Sequence, residues 1–322
     1  QDLELWSLYT GVDQQYRDLL KVPFNLRLLA EIAHTGEAVD EIKSIRTRLE
    51  LIDRYWMSRV IRRDGRGDAR EVILKAACEK MLEAKTLRID RFKVVTPGNS
   101  QDLDDLLKNQ VLVEWQPNMA SAADRYTLAF SHNALFDYAV ARLLLRGDRK
   151  HLVSLFHDHS ELVLIARPSL DLHFRHVWES DSTRTEFWKL VLEVFQKDDV
   201  PEIVKIIGPS VAAEVAKELT DLQVLCSALF DADHSVRKYA AQALKHLCGA
   251  ALTAGQSEVK KQAKLVGEGA GPWCDLLEHV SADLTVDIAH LILPLLVIVC
   301  ERPEELTLHQ KRSVGIAARR ML

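Results

Sequence analysis

None of the 13 glycines in this 322-residue sequence is followed by lysine, and no G-x-x-x-x-G-K-[ST] run occurs. A P-loop cradles phosphates with backbone N–H groups and supplies that lysine, so tight Mg-ATP binding and hydrolysis have no machinery here. G-x-S-x-G, the protein-kinase set and a credible pair of catalytic carboxylates are missing too, and the chain is expected to be catalytically inert. The five cysteines are odd in number, widely separated and without a CxxC. They indicate neither a zinc site nor a disulfide framework, and fit a reducing cytosol best. The longest apolar run, Ala289 to Cys300, is too short to span a bilayer and contains Pro294. The opening stretch QDLELWSLYT lacks a methionine, a charged segment and an apolar core, so no signal peptide is expected and the chain reads as an excised fragment. A net charge of -5 and a pI near 6.2 give no general attraction to nucleic acid or to an anionic membrane. The length allows two or three domains with a substantial core.

What is present centres on Arg125 to Arg146, RYTLAFSHNALFDYAVARLLLR. Tyr126, Leu128 and Phe130 alternate with Thr127 and Ala129, the period of a strand. Ser131 reads as an N-cap, which puts His132 at the first helical position. From Ala134 to Leu145 only Asp137 and Arg142 are polar, so this helix is expected to be interior. A histidine on a first turn meets unpaired N–H groups and the positive end of the helix dipole. That field disfavours imidazolium, and the same groups accept an anion such as a phosphate. His132 then reads as a neutral donor to a phosphate oxygen; from position alone, a first-turn histidine satisfied by a nearby carbonyl is the simpler reading.

Phe130-Ser131-His132, then Leu135-Phe136-Asp137-Tyr138 and Ala141, resemble the F-x-H-x-x-x-x-[DE]-[YF]-x-x-A signature that closes the winged-helix domain of STAND NTPases, the NACHT and NB-ARC relatives of innate immunity. The resemblance implies that His132 holds the β-phosphate of bound ADP and keeps the closed, resting form. Pro23 is by itself a good helix start, with Leu26, Leu29, Ala30 and Ala33 forming an apolar face behind it. Within the resemblance it heads a P-x-x-L-x-L-L run, and a proline there approaches the nucleotide's base and sugar.

Residues 1 to 35 are helices, and Val39 to Arg63 is a second helical block whose arginines (Arg46, Arg48, Arg54, Arg59, Arg62, Arg63) alternate with Glu50 and Asp53, as on a solvated or salt-bridged face. Asp64 to Asp68 is a turn. From Ala69 to Arg146 the order is helix, short segment, helix, then two strands and the His132 helix, a winged-helix arrangement. Its candidate recognition helix, Asp102 to Lys108, carries three aspartates and one lysine, which phosphate repulsion rejects. After Gly147 the chain is helical, with breaks expected near Pro168, Ser180 to Ser182, Asp198 to Pro201, Gly208-Pro209, Asp231 to Asp233, Gly255, Gly267 to Pro272 and Pro303. Asp233 to Leu244 resembles one HEAT repeat. His151, His157 and His159, and separately His173 and His176, lack a metal-ligand signature, and no metal is predicted.

Together these readings give a mainly α fold: a helical-domain remnant and connecting helix over residues 1–66, a small winged-helix domain with a short β wing over 67–146, and a HEAT-like α-helical solenoid over 147–322. The resemblance implies the regulatory, ligand-sensing part of a STAND signalling NTPase. ADP or ATP would be bound by the intact parent, through His132 and Pro23, and not tightly by this fragment. The implied partners are an upstream nucleotide-binding domain of the same chain and a protein ligand on the repeats. Membrane binding is not expected, nucleic acid is disfavoured, the setting is cytoplasmic, and the parent oligomerises on activation. The alternatives are a helical-repeat scaffold for protein partners and, ranked last, a winged-helix DNA-binding regulator.

Overall fold

The computed structural model describes residues 12–36, 38–116, 125–146, 163–256, 265 and 267–321. The chain divides into two compact units, Gln1–Arg146 and Gly147–Leu322, both mainly helical.

In the first unit, α1 (Gln14–Leu20) starts where the Asp13 carboxylate accepts the Tyr16 N–H at 2.8 Å. Helix α2 (Pro23–Ala33) carries its proline at the first position, where the missing N–H costs nothing. Short α3 (Val39–Lys43) follows, then α4 (Arg48–Trp56), which runs on as a π-helical turn over Met57–Ile61. The block expected to be continuous from Val39 to Arg63 is therefore interrupted. Thr47 is extended and forms a capping box with Glu50, its hydroxyl taking the Glu50 N–H at 3.1 Å while the Glu50 carboxylate takes the Thr47 N–H at 3.1 Å. Such a reciprocal cap starts a new helix. Helix α2 packs on α4, burying Leu28, Leu29, Ile32, Ile52, Tyr55 and Trp56. The arginines of this block are largely paired at the surface: Arg46 with Asp13 at 3.1 Å, Arg54 with Glu41 at 3.6 Å, Arg59 with Glu31 at 3.8 Å and Arg62 with Asp64 at 3.5 Å.

Next come α5 (Gly67–Glu83), β1 (Ile89–Asp90), α6 (Ser100–Lys108), β2 (Leu112–Trp115), β3 (Thr127–Phe130) and α7 (Asn133–Leu143). The sheet is antiparallel in the order β1-β3-β2, one strand more than the sequence reading allowed. Ile89 and Asp90 pair with Leu128 and Thr127, and the Arg91 N–H reaches the Tyr126 carbonyl at 2.7 Å, so a two-residue segment too short to show a period becomes an edge strand. Along β3 the expected alternation holds: Leu128 and Phe130 are buried, Thr127 and Ala129 partly exposed.

Two polar clusters lock this part together. Helix α7 is interior, with Ala134, Leu135, Phe136 and Tyr138 to Ala141 buried against α5 and β3. Its Tyr138 hydroxyl donates to Asp53, its Arg142 Nε donates to Glu71 at 2.7 Å, and Trp56 Nε1 donates to the same Glu71 oxygen at 2.8 Å. The second cluster explains the acidic α6. Asp102, almost fully buried, pairs with Arg66 at 2.9 Å, while the fully buried Arg70 bonds Asp105 at 3.0 Å, the Val60 carbonyl at 2.9 Å, and Asp64. Of the three aspartates only Asp104 is exposed.

The second unit contains α8 (Val163–Ser180), α9 (Thr185–Gln196), α10 (Glu202–Val215), α11 (Gln223–Leu229), α12 (His234–Gln256), α13 (Gly271–Val280), α14 (Val286–Cys300) and α15 (Leu308–Met321). Packing runs between alternate helices, α8 on α10, α10 on α12, α12 on α14 and α13 on α15, with α9 and α11 also against α12. Two expected breaks lie inside helices, Pro168 within α8 and Gly208-Pro209 within α10, whereas α12 ends at Gln256, beside the break expected near Gly255. At Gly208 the reason is close packing: an added Cβ would stand 2.6 Å from Val191 Cγ2 and 3.1 Å from Phe174 Cε1. Glycine lets α10 approach α8 and α9, and that burial offsets the hydrogen bond lost at Pro209. Among the described residues no helix is long and apolar enough to cross a membrane.

Candidate functional site

The turn between β3 and α7 differs by one residue from the sequence reading. His132, not Ser131, is the N-cap of α7: its backbone is extended (φ −153°, ψ 143°) and its Nδ1 accepts the Ala134 N–H at 3.1 Å. An imidazole nitrogen thus does what a hydroxyl or carboxylate oxygen normally does at this position. Ser131 instead follows β3 as its next ladder residue, its N–H donating to the Val111 carbonyl at 3.0 Å, and its Oγ is buried without a partner.

This geometry fixes the chemistry of the ring. With Nδ1 accepting, the proton of the neutral imidazole sits on Nε2, which has no partner among the described residues. Burial of the stacked face, then the positive charges of Arg48 and Arg27, hold the pKa below the ordinary histidine value. His132 is therefore a neutral imidazole presenting one N–H donor outward from an exposed position.

Beneath it lies Phe24, with ring centroids 3.6 Å apart and planes 15° from parallel. Phe24 is buried at the second position of α2, directly after the exposed Pro23. The two residues picked from the sequence, Pro23 and His132, more than 100 positions apart, are thus brought to one place through the side chain between them. Arg48 opens α4, is exposed, and makes no ion pair or hydrogen bond among the described residues. Arg27, half-buried, donates to Glu31 at 2.8 Å and Gln110 at 3.1 Å. No family model matches this chain, and neither does any curated protein or solved structure. What the site can do rests on its own geometry.

That geometry suits an anion. The His132 N–H and Arg48, whose charge acts on the imidazole and which makes no ion pair or hydrogen bond among the described residues, can take an anion without giving up a partner, whereas the Ala134 N–H at the α7 end is already held by His132 Nδ1. The sequence reading missed Phe24, because a phenylalanine after a helix-starting proline looks like ordinary core. It also left Arg48 among solvated arginines, since periodicity does not reveal which of several charges lacks a counter-ion. As for metals, no group of three or more His, Cys, Asp or Glu among the described residues is placed to hold an ion. His151, His157 and His159 lie outside the described residues.

Proposed function

We propose that this chain is the regulatory, ligand-sensing part of a STAND, NACHT-like signalling NTPase acting in the cytoplasm, possessing no hydrolytic centre of its own. On this reading residues 1–66 end the helical domain, 67–146 form the winged helix, and 147–322 are HEAT-like repeats that capture a protein ligand. An upstream P-loop domain holds the nucleotide, and His132 donates its Nε2 proton to the β-phosphate of ADP while Pro23 lies against base and sugar. A ligand on the repeats favours the open state, in which ATP enters and the parent oligomerises, because a ligand shifts an equilibrium only through differential affinity. The observation that carries the reading is the stacking of Phe24, neighbour of Pro23, on a neutral His132 whose free N–H points outward.

The test is the nucleotide content of the intact parent as purified, wild type against His132→Ala. Wild type is expected to retain ADP, and the variant to lose it or to be active without a trigger. If neither protein carries or binds nucleotide, the reading fails. The scaffold alternative would then take its place, favoured by the exposed apolar row Val286, Leu293 and Val297 on α14.

A further inference from the structure

On the outer face of the small sheet, next to the His132 turn, lies a pocket of about 260 Å³ whose lining includes Arg88, Val113, Trp115, Ala129, Ser131 and Asn133. Its floor follows from strand alternation. Val113 pairs with Ala129 and Trp115 with Thr127, so the side chains opposite to the buried Leu128 and Phe130 form one outward row that ends at Ser131. Ala129 is the reason there is space: a methyl group stands where a larger residue would fill the row. One wall is Trp115, 53% exposed, with the Arg88 guanidinium 5.2 Å from its ring centroid. The far end is polar, formed by Asn133 at the start of α7 and by Ser131, whose hydroxyl is buried and unpartnered.

Each feature limits the occupant. The volume lies below the range of drug-sized sites, so it takes one ring and a small substituent. Arg88 is the single charged residue of the lining and has no carboxylate partner among the described residues, so an anion is preferred. A flat apolar wall favours an aromatic ring. We propose that this pocket is a binding site for a single-ring aromatic carboxylic acid, with the ring against Trp115 and Ala129 and the carboxylate on the Arg88 guanidinium. The site is independent of any nucleotide reading, although Ser131 and Asn133 flank His132 and its occupant would brace that turn.

The test is fluorine NMR titration of 4-fluorobenzoate into the full chain, with unlabelled benzoate and benzyl alcohol as competitors. Saturable binding is expected, displaced by benzoate and not by the neutral alcohol, and weakened about tenfold or more by Arg88→Ala and by the pocket-filling Ala129→Leu. Arg88 is exposed and has no carboxylate partner among the described residues, so Arg88→Ala should weaken binding while leaving the melting temperature nearly unchanged. That pairing separates loss of a site from loss of fold. Failure to saturate by about 10 mM overturns the proposal. So does undiminished binding by a folded Ala129→Leu, or equal competition by benzyl alcohol.

Discussion

Replacing Arg70 by methionine tests whether the acidic helix α6 is held by the cation beneath it. Arg70 is fully buried and donates to the Val60 carbonyl at 2.9 Å, to Asp105 at 3.0 Å and to Asp64. Methionine keeps much of the volume but strands Asp105 and the Val60 carbonyl. Breaking a buried pair by removing one partner generally costs about 3–5 kcal/mol. Asp105 retains 23% side-chain exposure, so water reaches the abandoned carboxylate and the lower end applies, about 3 kcal/mol. Urea unfolding followed by circular dichroism measures the loss. Hydrogen exchange of α5 and α6 amides assigns it to the first unit, since the two units need not unfold together. Asp104→Asn, on the exposed face of the same helix, should change stability by less than about 0.5 kcal/mol. Adding Asp105→Leu to Arg70→Met should recover part of the loss, a coupling on the order of 1 kcal/mol. If Arg70→Met unfolds within about 0.5 kcal/mol of wild type, the cluster contributes no more than surface ion pairs do and this account of α6 is wrong.

Asp64 gives the same cluster an acid limb: Arg70 and the Arg66 N–H hold its pKa at about 2, below the ordinary 3.8. A depressed carboxylate pKa stabilises the fold above the unfolded value and loses that contribution as pH falls toward 2, so Asp64→Asn should flatten the urea midpoint against pH between about pH 4 and 2. Gly208→Ala forces a Cβ to within 2.6 Å of Val191 and should destabilise the second unit by about 1–3 kcal/mol in thermal unfolding, whereas a neutral result would mean that α9 yields freely. Thiol titration should find one reactive cysteine in the native chain and five in denaturant. Cys300 is exposed, whereas Cys78, Cys226, Cys248 and Cys274 are buried and burial pushes their pKa values up, to about 12 for the last three.

The mainly helical character and the inward face of α7 were legible because both rest on hydrophobic periodicity, which survives in a single sequence. Four features were not. The cap at His132 was placed one residue early because a serine outranks a histidine by propensity, and the choice turned on Ser131 being claimed by the ladder to Val111. The edge strand Ile89–Asp90 has two residues, too few for any period, and exists because β3 has a free side. Pro168 and Pro209 look like breaks but lie within helices, where packing at neighbours such as Gly208 outweighs local preference. The adjacency of Phe24 and His132 has no sequence signal, since contacts between segments a hundred residues apart leave no local pattern.

The contacts around His132 also differ in strength, which bears on a switch. Helix α7 is fastened to α4 and α5 by Tyr138, Arg142, Asp53, Glu71 and Trp56, and α6 by Arg66 and Arg70; every anchoring group on the other side comes from the stretch Asp53 to Arg70 or its neighbour Glu71. Residues 53–71 therefore form one body with the sheet-bearing part. The segment that carries Pro23 and Phe24 is held to that body by the buried packing of α2 on α4, by Arg27 on Gln110 at 3.1 Å and by Arg59 on the Glu31 carbonyl at 2.8 Å, whereas Phe24 meets His132 through a ring stack, and such pairs contribute about 0.5–1.5 kcal/mol beyond the area they bury. Opening the stack by turning the Phe24 side chain costs little beyond this, so a modest differential affinity decides whether it is made, whereas moving the whole of α2 would also break its buried packing on α4. Under the proposed function, opening should separate Phe24 from His132 and leave the Tyr138–Asp53 and Arg70–Asp105 contacts intact.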